Sequence, residues 1–317
     1  MTYKFKNVYI IDKCSLLSST RFDPIVKNNV NKVVDDYYMN EKSIEKAESR
    51  YQEYTINELL KNNKANLLIS GDLQNQILSS SLASSIFKLP TLGIYSACAT
   101  FVEGLIIGSM FVSKSKENVI VTSSSHNLVS EKQFRYPVEY GAVRKCVNTC
   151  TASGSLSVLL SNQKSNIKVE SATIGFITQT NHKDSNDMGS AMASSCAEVL
   201  NKHLNDTGRK VDYYDLILTG DLGIYGIEIM KEYFEKISNQ RIKNVIDSGS
   251  IFYQNNNIYA GASGPVCLPL VLFDYILNQN KYHKILIIGT GSLHSVISTN
   301  QGISIPSIAH VVSLEVK

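Results

Sequence analysis

The chain has 317 residues, 43% apolar and 19% charged, with a net charge of +3. That is enough apolar material for a large buried core, built as one big domain or two similar ones, in an ordinary soluble globular protein. Lys, Arg, Asp and Glu are interspersed, which argues against nucleic acid as a partner and against a polybasic membrane arm.

The opening MTYKFKNVYIID lacks the charged, apolar and small-residue order of a signal peptide. The cysteines Cys14, Cys98, Cys146, Cys150, Cys196 and Cys267 are scattered, so reduced thiols in a cytosolic type of compartment are expected. VVDDYYMNEKSIEKAESRYQEYTINELLKNN, residues 33–63, has helical apolar spacing, and NLLIS that follows is a strand ending in a Gly-Asp-Leu turn at Asp72. The segment from Leu92 to Val112 is long enough for a membrane span. It contains Glu103 and three glycines, so a buried core helix over Ala97 to Val112 is expected instead, with Cys98 near its start. VIVTS is the next strand, and HNLVSEKQFRYPVEYG after it groups His126, Asn127, Glu131, Arg135, Tyr136, Glu139 and Tyr140. Cys146 and Cys150 in KCVNTC have no second Cys or His pair nearby, so two small strand residues are expected there and no metal site.

MGSAMASSCAEVLNKHLNDT, residues 188–207, is helical by the same spacing. LILTG leads into a second Gly-Asp-Leu turn at Asp221, AGASGP carries Ser263, GPVCLPLVLFDYIL from Pro265 is a second all-round apolar helix, and ILIIG precedes TGSLHS. Pro265 suits a first helical position, whereas Pro269 farther in should kink the helix and free a carbonyl. Carboxylates at the two Gly-Asp-Leu turns have helix capping as their default role, with Asp221 the better placed to face a pocket. His182, His203, His283 and His310 are expected at the surface or as caps. TGSLHS lacks the Lys-Ser/Thr of a phosphate loop, so no nucleotide cofactor is expected, nor any other.

These segments repeat. NLLISGDL matches LILTGDL, NVIVTSSSHN matches KILIIGTGSLHS, and KNVYIID matches VESATIGFI, at an offset of about 150 to 165 residues. Two copies are expected, residues 1–165 and 166–317, each with a mixed, mainly parallel α/β sheet, and with the two apolar helices meeting at a pseudo-twofold axis.

A duplicated five-layered αβαβα arrangement with a Cys heading the first buried helix resembles the thiolase-like superfamily, which includes the ketoacyl-ACP synthases. SACATFVEGL is similar to their nucleophile segment. More specifically, TSSSHNLVSEKQFRYPVEYG, DMGSAMA, YDLILTGDLG, AGASG and QGISIPSIAH resemble, in order and spacing, the stage V sporulation protein AD family. The resemblance implies a protein that binds dipicolinic acid (pyridine-2,6-dicarboxylate), or its calcium chelate, and supports its uptake into the developing spore. It further implies other stage V sporulation membrane proteins as partners, a homodimer, and a peripheral place at the spore inner membrane without a span of its own.

The superfamily's condensing chemistry needs two polarising groups besides the thiol. The turn where the resemblance implies His carries Gly220 and Asp221, and the loop where it implies Asn carries Ala262 and Ser263. Binding without turnover is therefore expected, with an acyl-transfer enzyme using Cys98 as the alternative. Cys98, His126, Asn127, Arg135, Tyr136, Tyr140, Asp221 and Ser263 are the candidate ligand-binding residues. A planar dicarboxylate calls for a guanidinium or imidazolium, hydroxyl or amide donors and an aromatic face. The competing readings are a satisfied structural His126, and an exposed helical pair of Arg135 with Glu131.

Overall fold

The computed structural model describes residues 1–18, 22–134, 148–253 and 260–317. Its main sheet has ten strands in one path. From edge to edge these are Thr91–Gly93, Leu67–Gly71, Val119–Ser125, Gly154–Ser161, Tyr9–Ser18, Ile167–Thr173, Pro306–Val316, Lys284–Ser292, Leu216–Thr219 and Val245–Asp247. Numbered by chain order within each half, the order 3-2-4-5-1 occurs twice and meets at the two first strands. Those strands, the matched KNVYIID and VESATIGFI segments, pair antiparallel, with Tyr9 opposite Lys168 and Ile10 opposite Ile167. This is the duplicated, layered α/β fold that the repeats suggest.

The expected mainly parallel sheet is corrected. Along this path only the three outer strands of each half run parallel, while the fourth, fifth and first strands are joined antiparallel. The buried apolar runs reflect cover on both faces, which helices can supply whichever way a neighbouring strand runs.

The helix at residues 188–207 forms as Met188–Thr207, capped by Asp187, whose side chain accepts from the Ser190 amide, and closed by Gly208 in the left-handed region. The earlier helix is shorter than expected, running Ile44–Asn62. Asp36 holds a turn by accepting from the Tyr38 and Asn40 amides at 2.9 and 2.8 Å, and Met39 and Asn40 have positive φ. A helix cannot pass through those angles, so it starts after Ser43, whose hydroxyl caps it.

The two apolar helices lie between the sheet halves. Thr100–Ser115 packs on Val119–Ser125 of its own half and on Lys284–Ser292 and Pro306–Val316 of the other. It is the one helix among the described residues long and apolar enough to cross a membrane, and most of it is buried in the fold. Its Phe101 ring meets Phe273 of the second helix edge-on, 6.4 Å between centroids. That second helix is broken into an α turn at Cys267–Val271, a π turn at Leu272–Ile276 and a 3-10 turn at Leu277–Gln279. Pro265 stands before it rather than in it. Pro269 has no N–H to give the Pro265 carbonyl four residues earlier, and the Ser123 hydroxyl from the other half donates to that carbonyl at 3.1 Å.

Candidate functional site

Cys98 sits on a sharp turn between the strand Thr91–Gly93 and the helix Thr100–Ser115. Ala97, before it, has φ +49°. For a residue with a Cβ this left-handed geometry costs about 1–2 kcal/mol. Local bonds hold it: the Ala97 carbonyl accepts from the Thr100 hydroxyl at 2.6 Å, and the Ala99 amide donates to the Ser96 carbonyl at 3.0 Å. The turn presents the thiol, partly accessible, at the bottom of a small cavity.

The second half brings two groups to the thiol. Asp221, at the end of Leu216–Thr219, is hydrogen-bonded to Cys98. Its Oδ1 accepts from the Thr290 hydroxyl at 2.9 Å and its Oδ2 from the Gly264 amide at 3.2 Å. Asp221 is free for this because it is not a cap. Asp247 takes that role instead, its Oδ1 accepting from the Leu222 amide and its Oδ2 from the Gly223 and Ser250 amides, each at 2.9 Å. In the first half Asp72 does cap, accepting from the Gln74 and Ser80 amides at 2.7 Å.

Ser263 belongs to the short strand Ala262–Ser263, which pairs with Cys150–Thr151 and ties the halves together over the site. Gly264, at φ +102°, makes that approach possible: a Cβ there would lie 2.7 Å from the Ser125 hydroxyl and 3.0 Å from Thr151 Cγ2.

The cavity is about 30 Å³, room for one or two waters; Ser130, Thr151, Ser263 and Ser292 from four separate elements line it together with the apolar Leu73, Ala97, Phe134 and Met188. It opens through Leu73, Tyr95, Phe134 and His294 into a groove of about 510 Å³, which shares those four residues. Walls of the groove are the turn Gln74–Ile77 and the segment Leu293–Ile297, and none of its described lining residues is Asp, Glu, Lys or Arg.

Electrostatics at the thiol run against a nucleophile. A helix N-terminus favours a thiolate by roughly 0.3–2 kcal/mol. Here burial, with the Asp221 carboxyl next, drives the Cys98 thiol well above its ordinary value, although the Gly264 amide pulls the other way. Burial also pushes Asp221 up to about 7, with Asp247 adding to the rise.

Of the sequence candidates, the structure brings together Cys98, Asp221 and Ser263. His126 lines neither cavity nor groove. Its Nε2 bonds the Tyr37 carbonyl at 3.0 Å, its Nδ1 accepts from the Leu128 amide at 3.2 Å, and its ring stacks on Tyr51. Burial takes it down to about 4, so it is a neutral structural imidazole. Asn127 begins the helix Asn127–Phe134 and donates to the Cys150 sulfur at 3.3 Å, away from the thiol of Cys98. Arg135, Tyr136 and Tyr140 lie outside the described residues, as does Cys146. Two of the histidines expected at the surface are buried: His203 bridges Thr173 and Tyr214 at 2.7 Å each, and the His310 ring accepts from the Gly175 amide at 3.3 Å.

A model of the stage V sporulation protein AD family matches residues 1–315. Stage V sporulation protein AD of Bacillus subtilis (strain 168) is 34% identical over 295 residues, covering 90% of this chain and 87% of that protein. The chain belongs to the stage V sporulation protein AD family. Its fold is that of the thiolase-like enzymes. The 3-oxoacyl-[acyl-carrier-protein] synthase III of Aquifex aeolicus VF5 superposes with a TM-score of 0.57 at 14% identity, covering 97% of this chain and 99% of that one. Cerulenin-bound OleA of Xanthomonas campestris gives 0.62 at 14% identity, covering 98% and 100%. At such identities the likeness concerns fold alone.

The sequence candidate His126 is not the histidine at the cavity; His294 is. The signal was present, since both histidines end matched strands. What separates them is that His294 Nδ1 bonds a neighbouring hydroxyl, Ser292 at 3.1 Å, and its ring leans on Phe134 in the mouth of the cavity.

Proposed function

We propose that this chain is a thiolase-like protein that binds dipicolinic acid in spore formation and supports its uptake, without acyl turnover. The observation that carries the binding half of this reading is the partner of Cys98: a buried carboxyl stands where a condensing enzyme needs a polarising His. Once ionised, a carboxyl beside a thiol opposes thiolate formation and offers a developing oxyanion repulsion rather than stabilisation. The identity of the ligand rests on the resemblance and is supported by the mouth of the cavity. In this reading one carboxylate of the planar acid sits at the mouth of the cavity beside His294, with Ser130 and Ser292 among the lining residues. The pyridine ring then lies between Tyr95 and Phe134 and extends into the groove, whose volume is in the range of small-molecule sites.

In this reading other stage V sporulation membrane proteins hold the chain at the spore inner membrane. A second copy joins at the exposed edge strand Thr91–Gly93, beside the exposed Leu78, Leu82 and Ile86 of the helix Leu78–Phe87. The test is calorimetric titration with dipicolinate, with and without calcium, on the unaltered protein and Cys98→Ala, with acetyl-CoA as a thioester control. Saturable binding to both proteins and no thioester consumption is expected. Acylation of Cys98 without dipicolinate binding would instead make this an acyl-transfer enzyme.

A further inference from the structure

We propose that an anionic ligand enters the Cys98 cavity together with one proton, which Asp221 holds while the ligand is bound. This rests on reading the cavity as an anion site. Asp221 lies directly behind the thiol, and everything that contacts it is a neutral donor: the Cys98 thiol, the Thr290 hydroxyl and the Gly264 amide. The other titratable groups facing it are Asp247, from the strand Val245–Asp247, and the Cys267 thiol at the head of the second apolar helix. Neither brings positive charge, and Asp221 forms no ion pair among the described residues.

A carboxylate ion in such a place has no counter-charge, and a second anion one thiol away would face it across a medium of low polarisability. At a separation of about 6 Å and an effective dielectric of about 20, that repulsion is worth roughly a hundredfold in affinity, and less where water screens it. The arrangement removes the penalty if Asp221 is the neutral acid when the anion arrives. The proton comes either from solvent or on the ligand's own carboxyl, so binding consumes up to one proton per site above the point where Asp221 ionises. Burial holds that point near neutral pH, at about 7.

Cys98 itself reports the effect. Its alkylation by iodoacetate, an anion, and by iodoacetamide, a neutral analogue, shares one thiolate fraction, so the ratio of the two rates isolates the charge of the entering reagent. The ratio, read by mass spectrometry of the Cys98 peptide from pH 5.5 to 8.5, is expected to fall roughly tenfold as Asp221 ionises. It should be flat in Asp221→Asn. Thr290→Val removes one donor to the carboxylate and should move the midpoint upward, which keeps the test decisive if the first variant does not fold. A flat ratio in the unaltered protein overturns the proposal. Dipicolinate calorimetry in phosphate and in Tris at pH 7.5 should show uptake approaching one proton, lost in Asp221→Asn; binding with no uptake also overturns it. A falling ratio with no dipicolinate binding upholds the proton coupling and removes only the dipicolinate reading.

Discussion

Asp247 is the side chain on which the second half of the site hangs, and Asp247→Ala measures how much. Its carboxylate receives the backbone amides of Leu222, Gly223 and Ser250 at 2.9 Å, and the hydroxyls of Thr219 and Ser250 at 2.8 and 3.0 Å. The residue is buried, so the truncation leaves three backbone donors and two hydroxyls facing a void. Each orphaned buried donor costs about 1–3 kcal/mol, and water entering the void recovers part of that. Summed toward the low end for the three amides and the lost cap, the expected loss is about 4–6 kcal/mol. At roughly 2 °C per kcal/mol for a chain of this size, the unfolding midpoint should drop by roughly 10 °C. Calorimetric melting and urea titration measure it. Asp247→Asn keeps an acceptor on one side only and should lie between. A loss under about 1.5 kcal/mol for the alanine variant would refute the reasoning, because it would mean that the amides find other partners.

Gly264→Ala places a methyl group against Ser125 and Thr151 at φ +102°, and should destabilise the chain by about 2 kcal/mol or more while withdrawing the amide that favours the Cys98 thiolate, read by melting and by slower Cys98 alkylation. Glu48 accepts from Gln74 and Ser124 at 2.9 and 2.8 Å, and burial followed by the neighbouring Asp72 pushes it up to about 8 from 4.5. A folded-state value above the unfolded one means that the stability this group contributes is complete below pH 4.5 and is lost as pH rises to about 8; Glu48→Gln should flatten that decline in melting curves. His294→Ala should weaken dipicolinate binding by roughly tenfold in the titration without changing the melting point much. Leu82→Lys, on a side chain 40% exposed, should shift the proposed dimer to monomer in sedimentation velocity and leave the monomer's circular dichroism unchanged.

What was legible in the sequence was local or periodic. Continuous apolar runs marked Val119–Ser125 and Lys284–Ser292, helical spacing marked Met188–Thr207, and the recurrence of Gly-Asp-Leu marked the duplication. What escaped depends on partners distant along the chain. Strand direction beyond the outer three of each half is set by which strand arrives beside which, and no residue pattern in ILIIGTGS records that its neighbour is the antiparallel Pro306–Val316. His126 and His294 end equivalent strands, yet Tyr37 and Tyr51 enclose the one while Phe134 leaves the other at a mouth. The two Gly-Asp-Leu turns look alike, and only the presence of Asp247 across the second one, 26 residues on, frees Asp221 from capping.

That last difference bears on the chemistry open to the thiol. Both halves follow a parallel strand with an aspartate before a helix, so the repeated geometry offers each turn a cap. In the first half the cap remains and Asp72 is engaged by backbone amides. In the second half the neighbouring strand ends in Asp247, whose two oxygens serve the helix Gly223–Ser238 and the turn of helix after it at once. Asp221 is thereby available to the thiol, where its carboxyl adds to the larger effect of burial in raising the thiol. Helix N-terminal polarity is worth at most about 2 kcal/mol to a thiolate. A buried, ionisable carboxyl in contact removes that advantage, and the strained turn at Ala97 then presents a protonated thiol as part of a polar wall. Replacing Asp221 by a neutral or basic group removes the carboxyl's share of that rise and leaves the share of burial. Asp221→His should raise the Cys98 alkylation rate at pH 7.5 well above that of the unaltered protein, and an unchanged rate would show that burial alone, without the carboxyl, holds the thiol protonated.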